Sequence, residues 1–383
     1  MKVLHVITGL GVGGAEQQLR LLLRHLPVEC EVATLTNPGA VAAGLVADGV
    51  RVHHLGMRGN RDLRVIPRLL RLIHAGGYDL VHTHLYRACV YGRTAARLAG
   101  VRAVVATEHS LGETQMEGRR ITPGIRALYL AGERLGSATV AVSPVVADRL
   151  GRWGVPAPRI EIIPNGIDLD QLRFDPSRRR RARQRIGIPQ DAYVVGGIGR
   201  LTTGKRFDVL IRAVARLPDH LWLLLVGGGP QETVLRRTAH AAGVADRVLF
   251  TGERPYLAEE TPGSDLPSLT AAMDLLVSPS LEETFGLAVV EALASGLPVL
   301  YASCPAIEIL PPRAAPGARR LRGGPEAYAR AIAEVRSAGP RPRTVPEAAQ
   351  RYGITHSAAR LMDVYAAALS RPLVLSPQGV DCP

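Results

Sequence analysis

The chain has 383 residues, 46% hydrophobic and 21% charged, the balance of a globular protein long enough to bury two cores. No run of about 18 apolar residues occurs, which excludes a membrane-spanning helix, and 4% aromatic content gives little on which to stack single-stranded bases, so no nucleic-acid partner is expected. The net charge of +13 lies almost wholly in residues 1–190, where 27 Lys+Arg face 15 Asp+Glu for a net of +12. Such a field suits an anionic lipid face or a phosphorylated small molecule, or else marks solvated helix faces. Cys30, Cys89, Cys304 and Cys382 lie far apart without metal-ligand spacing, and Lys2–Thr8 opens as a strand rather than a signal peptide. A reducing, cytoplasmic setting is the simplest expectation.

Strand-like apolar runs follow at Lys2–Thr8, Glu31–Leu35, Val50–Leu55, Leu80–Thr83, Ala103–Thr107, Ala138–Val142 and Ile160–Ile163. Helical patterns at Ala15–His25, Val65–Ala75, Cys89–Ala99 and Ile125–Leu135 lie between them, the alternation of a doubly wound parallel sheet. In the helical stretch Arg61–His74, arginines 64, 68 and 71 recur beside apolar residues, a pattern that also fits contact with an anionic membrane. The polar Asp170–Pro189 stretch, with the arginine run Arg178–Arg181, Arg183 and Arg185, marks a domain boundary. The alternation then restarts, with strands at Ala192–Ile198, Trp222–Val226, Val248–Thr251, Asp274–Ser278 and Pro298–Ala302 and helices at Arg206–Arg216, Gln231–Ala242 and Leu287–Ala294. The expected division is 1–185, 186–355, and 356–383 as a closing helix that crosses back to the first domain, plus a loose tail.

In open α/β sheets ligands bind outside the carboxyl ends of the strands, so the residues that follow each strand matter most. After the first comes Gly9-Leu-Gly-Val-Gly13-Gly14-Ala-Glu16, a turn whose glycines admit a phosphate to a helix N-terminus. Read as Gly9-x-Gly11-x-x-Gly14 it also matches a dinucleotide fingerprint, but the acidic ribose anchor due roughly 20 residues on is not at a strand end. The second half opens with Gly199-Arg200 and, five residues later, Lys205, one of two lysines in an otherwise arginine-only chain. Together these cations can grip a diphosphate and neutralise a leaving phosphate. Glu283, in a strand-to-helix loop, and Glu291, about two turns into the next helix, can accept from sugar hydroxyls, with the amides of Phe285, Gly286 and Leu287 between them. His109 ends a strand that faces the same crevice. His82 and His84 read as packed histidines at a sheet edge, a His-x-His metal pair lacking a third ligand. Asp168 reads as a cap rather than as half of a cation-binding Asp-x-Asp.

Five motifs in order, Gly13-Gly14-Ala15-Glu16, Ile163-Pro-Asn-Gly-Ile-Asp168, Gly199-Arg200 with Lys205, Leu225-Val-Gly227-Gly-Gly-Pro230, and Glu283-x7-Glu291, resemble the GT-B retaining glycosyltransferases of family 4 over roughly residues 1–370. The resemblance implies two Rossmann-like domains that face across a cleft, and transfer of a hexosyl unit from a UDP- or GDP-sugar to a lipid-linked or small-molecule acceptor. It implies neither a catalytic metal nor a cofactor. Arg200 and Lys205 would hold the diphosphate, Glu283 the sugar hydroxyls, Glu291 the ribose and Gly227 the nucleoside. Gly14 would approach the diphosphate from the opposite wall, with His109 beside the sugar. Two stretches depart from the pattern: Arg254–Pro267 is long, and Pro311–Pro325 reads as an irregular loop. A sugar-nucleotide epimerase or a sugar-nucleotide-binding protein on the same scaffold is the alternative.

Overall fold

The computed structural model describes residues 1–256 and 263–370, so the expected tail, Cys382 and the centre of the 254–267 stretch lie outside the described residues. The first lobe is built on β1 (Lys2–Ile7), β2 (Glu29–Thr34), β3 (Arg51–His54), β4 (Leu80–His84) and β5 (Ala103–Glu108). A short hairpin of β6 (Gln115–Met116) and β7 (Arg119–Arg120) precedes β8 (Ala138–Ala141) and β9 (Ile160–Ile162). Apart from the hairpin these strands form one parallel sheet in the order β3-β2-β1-β4-β5-β8-β9. The second lobe carries β10 (Tyr193–Ile198), β11 (Leu221–Val226), β12 (Val248–Phe250), β13 (Leu275–Ser278), β14 (Val299–Tyr301) and β15 (Ala318–Arg320), parallel in the order β12-β11-β10-β13-β14-β15. Helices cover both faces of each sheet, so strands such as VLHVI in β1 are buried throughout. Each sheet reverses its order at its first strand, which directs ligands to the carboxyl ends of β1 and β4 in one lobe and of β10 and β13 in the other.

Several expectations shift. The proline-rich Pro311–Pro325 contains β15, the edge strand of the second sheet, rather than an irregular loop. His82 and His84 lie within β4 at the centre of its sheet, not at an edge. The arginine run forms the helix Pro176–Ile186, and two of its cations are engaged within the fold. Arg179 and Arg183 donate to the two oxygens of Asp274 at 2.7 and 2.8 Å, and Arg183 is wholly buried. This helix is therefore anchored to the second lobe, although the sequence places it before residue 186. In the helix Val65–Gly76, Val65, Leu69 and Ile73 face the core, while Arg68 donates to the Leu55 carbonyl at 2.8 Å. Its apolar stripe is thus used in packing.

The closing helix runs from Ile354 to Ser370 and crosses back to the first lobe, where Leu361, Val364, Tyr365 and Ala368 join the core beneath β1 and β4. No helix among the described residues is long and apolar enough to cross a membrane.

Candidate active site

Three loops meet between the lobes. The first follows β1, where Gly13 is the extended N-cap of the helix Gly14–Leu23. The second follows β10 and holds Arg200 and Lys205. The third joins β13 to the helix Leu287–Ala294, whose N-cap is Gly286 at φ +97°. A Cβ at Gly14 would stand 3.5 Å from Cδ1 of Leu287, so the glycine turn of one lobe faces the helix mouth of the other. At Gly286 a Cβ would also meet the Cys304 sulfur at 2.5 Å, so only glycine fits this corner.

Lys205 donates from Nζ to Oε1 of Glu283 at 2.5 Å, which joins two of the expected site residues directly. Arg200 is exposed on the same loop and acts electrostatically on Glu16 across the cleft. Burial pushes the Glu16 carboxyl up to about 7, with Arg200 pulling the other way. Glu291 is the fifth residue of its helix, one turn rather than two from the mouth, and only 6% exposed. Burial pushes its carboxyl to about 7 as well, and its charge helps raise the neighbouring Tyr256 phenol. The Phe285 side chain is core, edge-on to Tyr352 at 5.1 Å, so only its backbone can belong to the site.

Gly227 marks where β10 and β11 end together. Its φ is +139°, and a Cβ there would lie 2.1 Å from the Gly199 carbonyl oxygen, while its amide donates to Gly252 at 3.0 Å. The loops after β10, β11 and β12 are thus laced into one wall. Asp168 caps the short helix Leu169–Leu172 by accepting from the Gln171 amide at 3.0 Å.

His109 is half-buried, and its carbonyl accepts from Oγ1 of Thr284 at 2.8 Å, next to Glu283. Its ring Nε2 lies 3.2 Å from Nδ1 of His84, whose Nε2 is 3.1 Å from Nδ1 of His5. The third histidine absent from the sequence reading is therefore His5, on β1. The nitrogens of His5, His82 and His84 all lie within 4.8 Å of one another, a spacing that suits a metal. His82 is engaged at 2.7 Å by both Tyr365 and Thr107, and His84 at both nitrogens by His5 and His109.

A latch between the lobes was not legible in the sequence. Arg149 pairs with Glu282 at 2.8 Å and with Glu113 at 3.2 Å, and the Glu113 amide donates to Glu282. Ser143 Oγ donates to the Thr284 carbonyl at 2.5 Å. Residues 282–284 are thus gripped by the first lobe on both sides of Glu283.

Residues 12–171 match the family described as Glycosyltransferase Family 4, and residues 178–351 match Glycosyl transferases group 1. The D-inositol 3-phosphate glycosyltransferase of Streptomyces griseus subsp. griseus is 30% identical over 406 residues, which cover 92% of this chain and 83% of that protein. Its namesake in Salinispora tropica is 32% identical over 77% of this chain and 65% of that protein. The match to the Salinispora arenicola protein spans 54% of that protein's length, so the chain covers less than two thirds of either Salinispora relative. The Anabaena Alr3699/HepE structure with UDP and glucose has a TM-score of 0.81 at 23% identity, covering 96% of this chain and 100% of that one. Sucrose-phosphate synthase of Thermosynechococcus elongatus gives 0.72 at 21%, covering 96% and 99%. These two likenesses speak to the fold. With both halves matched in order and two parallel-sheet lobes closing on one cleft, the chain belongs to the group 1 glycosyltransferases of family 4 and has the GT-B fold.

Proposed function

We propose that the protein transfers a hexosyl unit, with retention, from a nucleotide-diphosphate sugar to a small polar acceptor. The observation that carries this reading is the Lys205–Glu283 contact of 2.5 Å at the mouth of the Leu287–Ala294 helix, across from Gly14. Lys205 and Arg200 supply positive charge for the departing diphosphate, so its leaving needs no metal ion. Glu283, steadied by Lys205, orients the sugar hydroxyls. The amides of Gly286 and Leu287 open the helix toward the phosphates, and Glu291 accepts from the ribose. His109 lies beside the sugar, Gly13 and Gly14 let the first lobe's backbone close on the diphosphate, and Gly227 borders the nucleoside. No carboxylate pair is required as nucleophile and acid, because the leaving phosphate takes the acceptor proton on the same face. The names of the Streptomyces and Salinispora relatives favour a phosphorylated polyol as acceptor. A lipid-linked acceptor draws no support from Val65, Leu69 and Ile73, which are buried.

Titration calorimetry with UDP-glucose and GDP-mannose, followed by nucleotide release with and without inositol 3-phosphate, tests this reading. Acceptor-dependent release that survives a chelator is expected. Donor uptake without release, or release of an epimerised nucleotide sugar, would sink it.

A further inference from the structure

β1 and β4 are neighbours in register, with His5 opposite His82 and Ile7 opposite His84. His5 and His84 are 0% and 1% exposed, and with His109 they form a stacked row with ring centroids 5.3 and 5.5 Å apart. The row begins in the core of the first lobe and ends at His109, whose carbonyl accepts from Thr284, the residue after Glu283. We propose that His5 and His84 are positioning residues that hold His109 as the neutral tautomer protonated at Nδ1.

The argument is one of proton counting. Each hydrogen bond in the row, His5 Nδ1 to His84 Nε2 at 3.1 Å and His84 Nδ1 to His109 Nε2 at 3.2 Å, needs one N–H and one lone pair. A neutral imidazole has a single proton, so His84 must donate on one side and accept on the other. Only two arrangements satisfy both bonds: all three protons on Nδ1, or all three on Nε2. Burial holds the rings neutral, since it drives His5 down to about 3, His109 to about 4 and His84 well below its ordinary value.

The two ends of the row choose between the arrangements. Nε2 of His5 and Nδ1 of His109 are the buried ring nitrogens left without a partner. Protons on Nε2 would strand the His5 N–H in the core, whereas orphaned buried N–H groups are rare. Protons on Nδ1 leave only a lone pair there and give His109 an N–H to offer. The hydroxyl oxygens of a donor sugar can accept from that N–H, so the same arrangement suits the ligand end. This step rests on the proposed place of His109 beside the donor sugar. His82 stands beside the row without joining it, being held by Tyr365 and Thr107.

The test is ring-¹⁵N histidine NMR on the full chain at pH 7, with His109 assigned by the signal lost in His109→Gln. A protonated-type Nδ1 and a pyridine-type Nε2 are expected for His109. A protonated Nε2, or stoichiometric metal bound to the purified protein, would overturn the proposal. In turnover of UDP-glucose, His84→Leu should lower kcat on the order of 10- to 100-fold, the scale found when a group that orients a functional histidine is lost, with KM changed less than about threefold. His84→Gln keeps an amide donor for His109 Nε2 and should recover part of that loss. Unchanged kcat in folded His84→Leu, alongside loss in His109→Ala, would overturn the relay alone. Full turnover in His109→Ala would overturn the role of His109 and the relay with it. Should His84→Leu fail to fold, the wild-type tautomer decides.

Discussion

Glu291→Gln separates the stability cost of the site from its use. The Glu291 carboxyl is moved by burial from an ordinary 4.5 to about 7, a difference equivalent to about 3 kcal/mol between its two protonation states. Below pH 4.5 the group is protonated in both folded and unfolded chains and contributes nothing. Between 4.5 and 7 the unfolded chain releases the proton while the folded chain retains it, so stability falls as pH rises. Above 7 the full penalty persists. Glu16 and Glu108, also pushed to about 7, act in the same window, but they remain in the variant and cancel in the difference. The unfolding free energy of Glu291→Gln minus that of wild type, from urea titrations, should therefore rise by up to about 3 kcal/mol between pH 4.5 and 8.

The ligand makes the opposite demand. Ribose hydroxyls donate to the ionised carboxylate, so nucleotide binding at pH 6 should expel close to one proton, and at pH 8 almost none. Calorimetry of UDP or GDP in buffers of different ionisation enthalpy reads that proton directly, and Glu291→Gln should abolish it. Parallel stability curves for the two proteins, with no proton released at pH 6, would refute both the buried carboxylate argument and the ribose assignment.

Lys205→Ala should lower turnover on the order of 100- to 1000-fold while circular dichroism and melting stay near wild type; near-native turnover would remove Lys205 from the site. Asp274→Ala leaves Arg183 wholly buried beside an empty position and should cost about 3 kcal/mol in urea unfolding, against less than 1 for a merely exposed ion pair. Gly227→Ala drives a Cβ to 2.1 Å from the Gly199 carbonyl at φ +139°, so it should cost about 1–3 kcal/mol and weaken nucleotide affinity together; unchanged melting would show that the loops part freely.

Buried parallel strands write themselves plainly, because both faces demand apolar residues. LWLLLV in β11 and LLVS in β13 are runs of this kind, and every strand read from such a run is present. The elements missed lack that signature. β15, read ARR, is an edge strand with no apolar run. The helix Gly39–Ala47 is apolar all round, and Pro144–Trp153 begins with a proline that reads as a break but sits behind the Ser143 cap. The arginine-rich Pro176–Ile186 has no apolar stripe because Asp274 supplies much of its anchor.

The site divides in the same way. Residues placed by local chain logic, such as Lys205 after β10 or Gly286 before its helix, were legible. Partners that meet only through strand register or lobe closure were not: His5 and His84 are 79 residues apart, and Arg149 and Glu282 are 133 apart. Periodicity has no means of expressing such pairings.

Those distant partners decide whether the site exists at all. Glu283 receives Lys205 from its own lobe, but its neighbours on either side are held by the other: Glu282 by Arg149, and Thr284 by Ser143 and His109. At about 1 kcal/mol net for each hydrogen-bonded contact, the four cross-lobe links, with the Glu113 amide to Glu282 among them, are together worth about 4 kcal/mol. That is the size of gap over which a protein passes between two populated conformations, so the links can close the lobes without locking them. Opening breaks the links on both sides of Glu283 at once and frees the loop that bears it from the His109 carbonyl. The Glu283 carboxylate and the histidine row are therefore brought into register by the same closure that brings Gly14 against Leu287, and a ligand that spans the cleft would select all of these together.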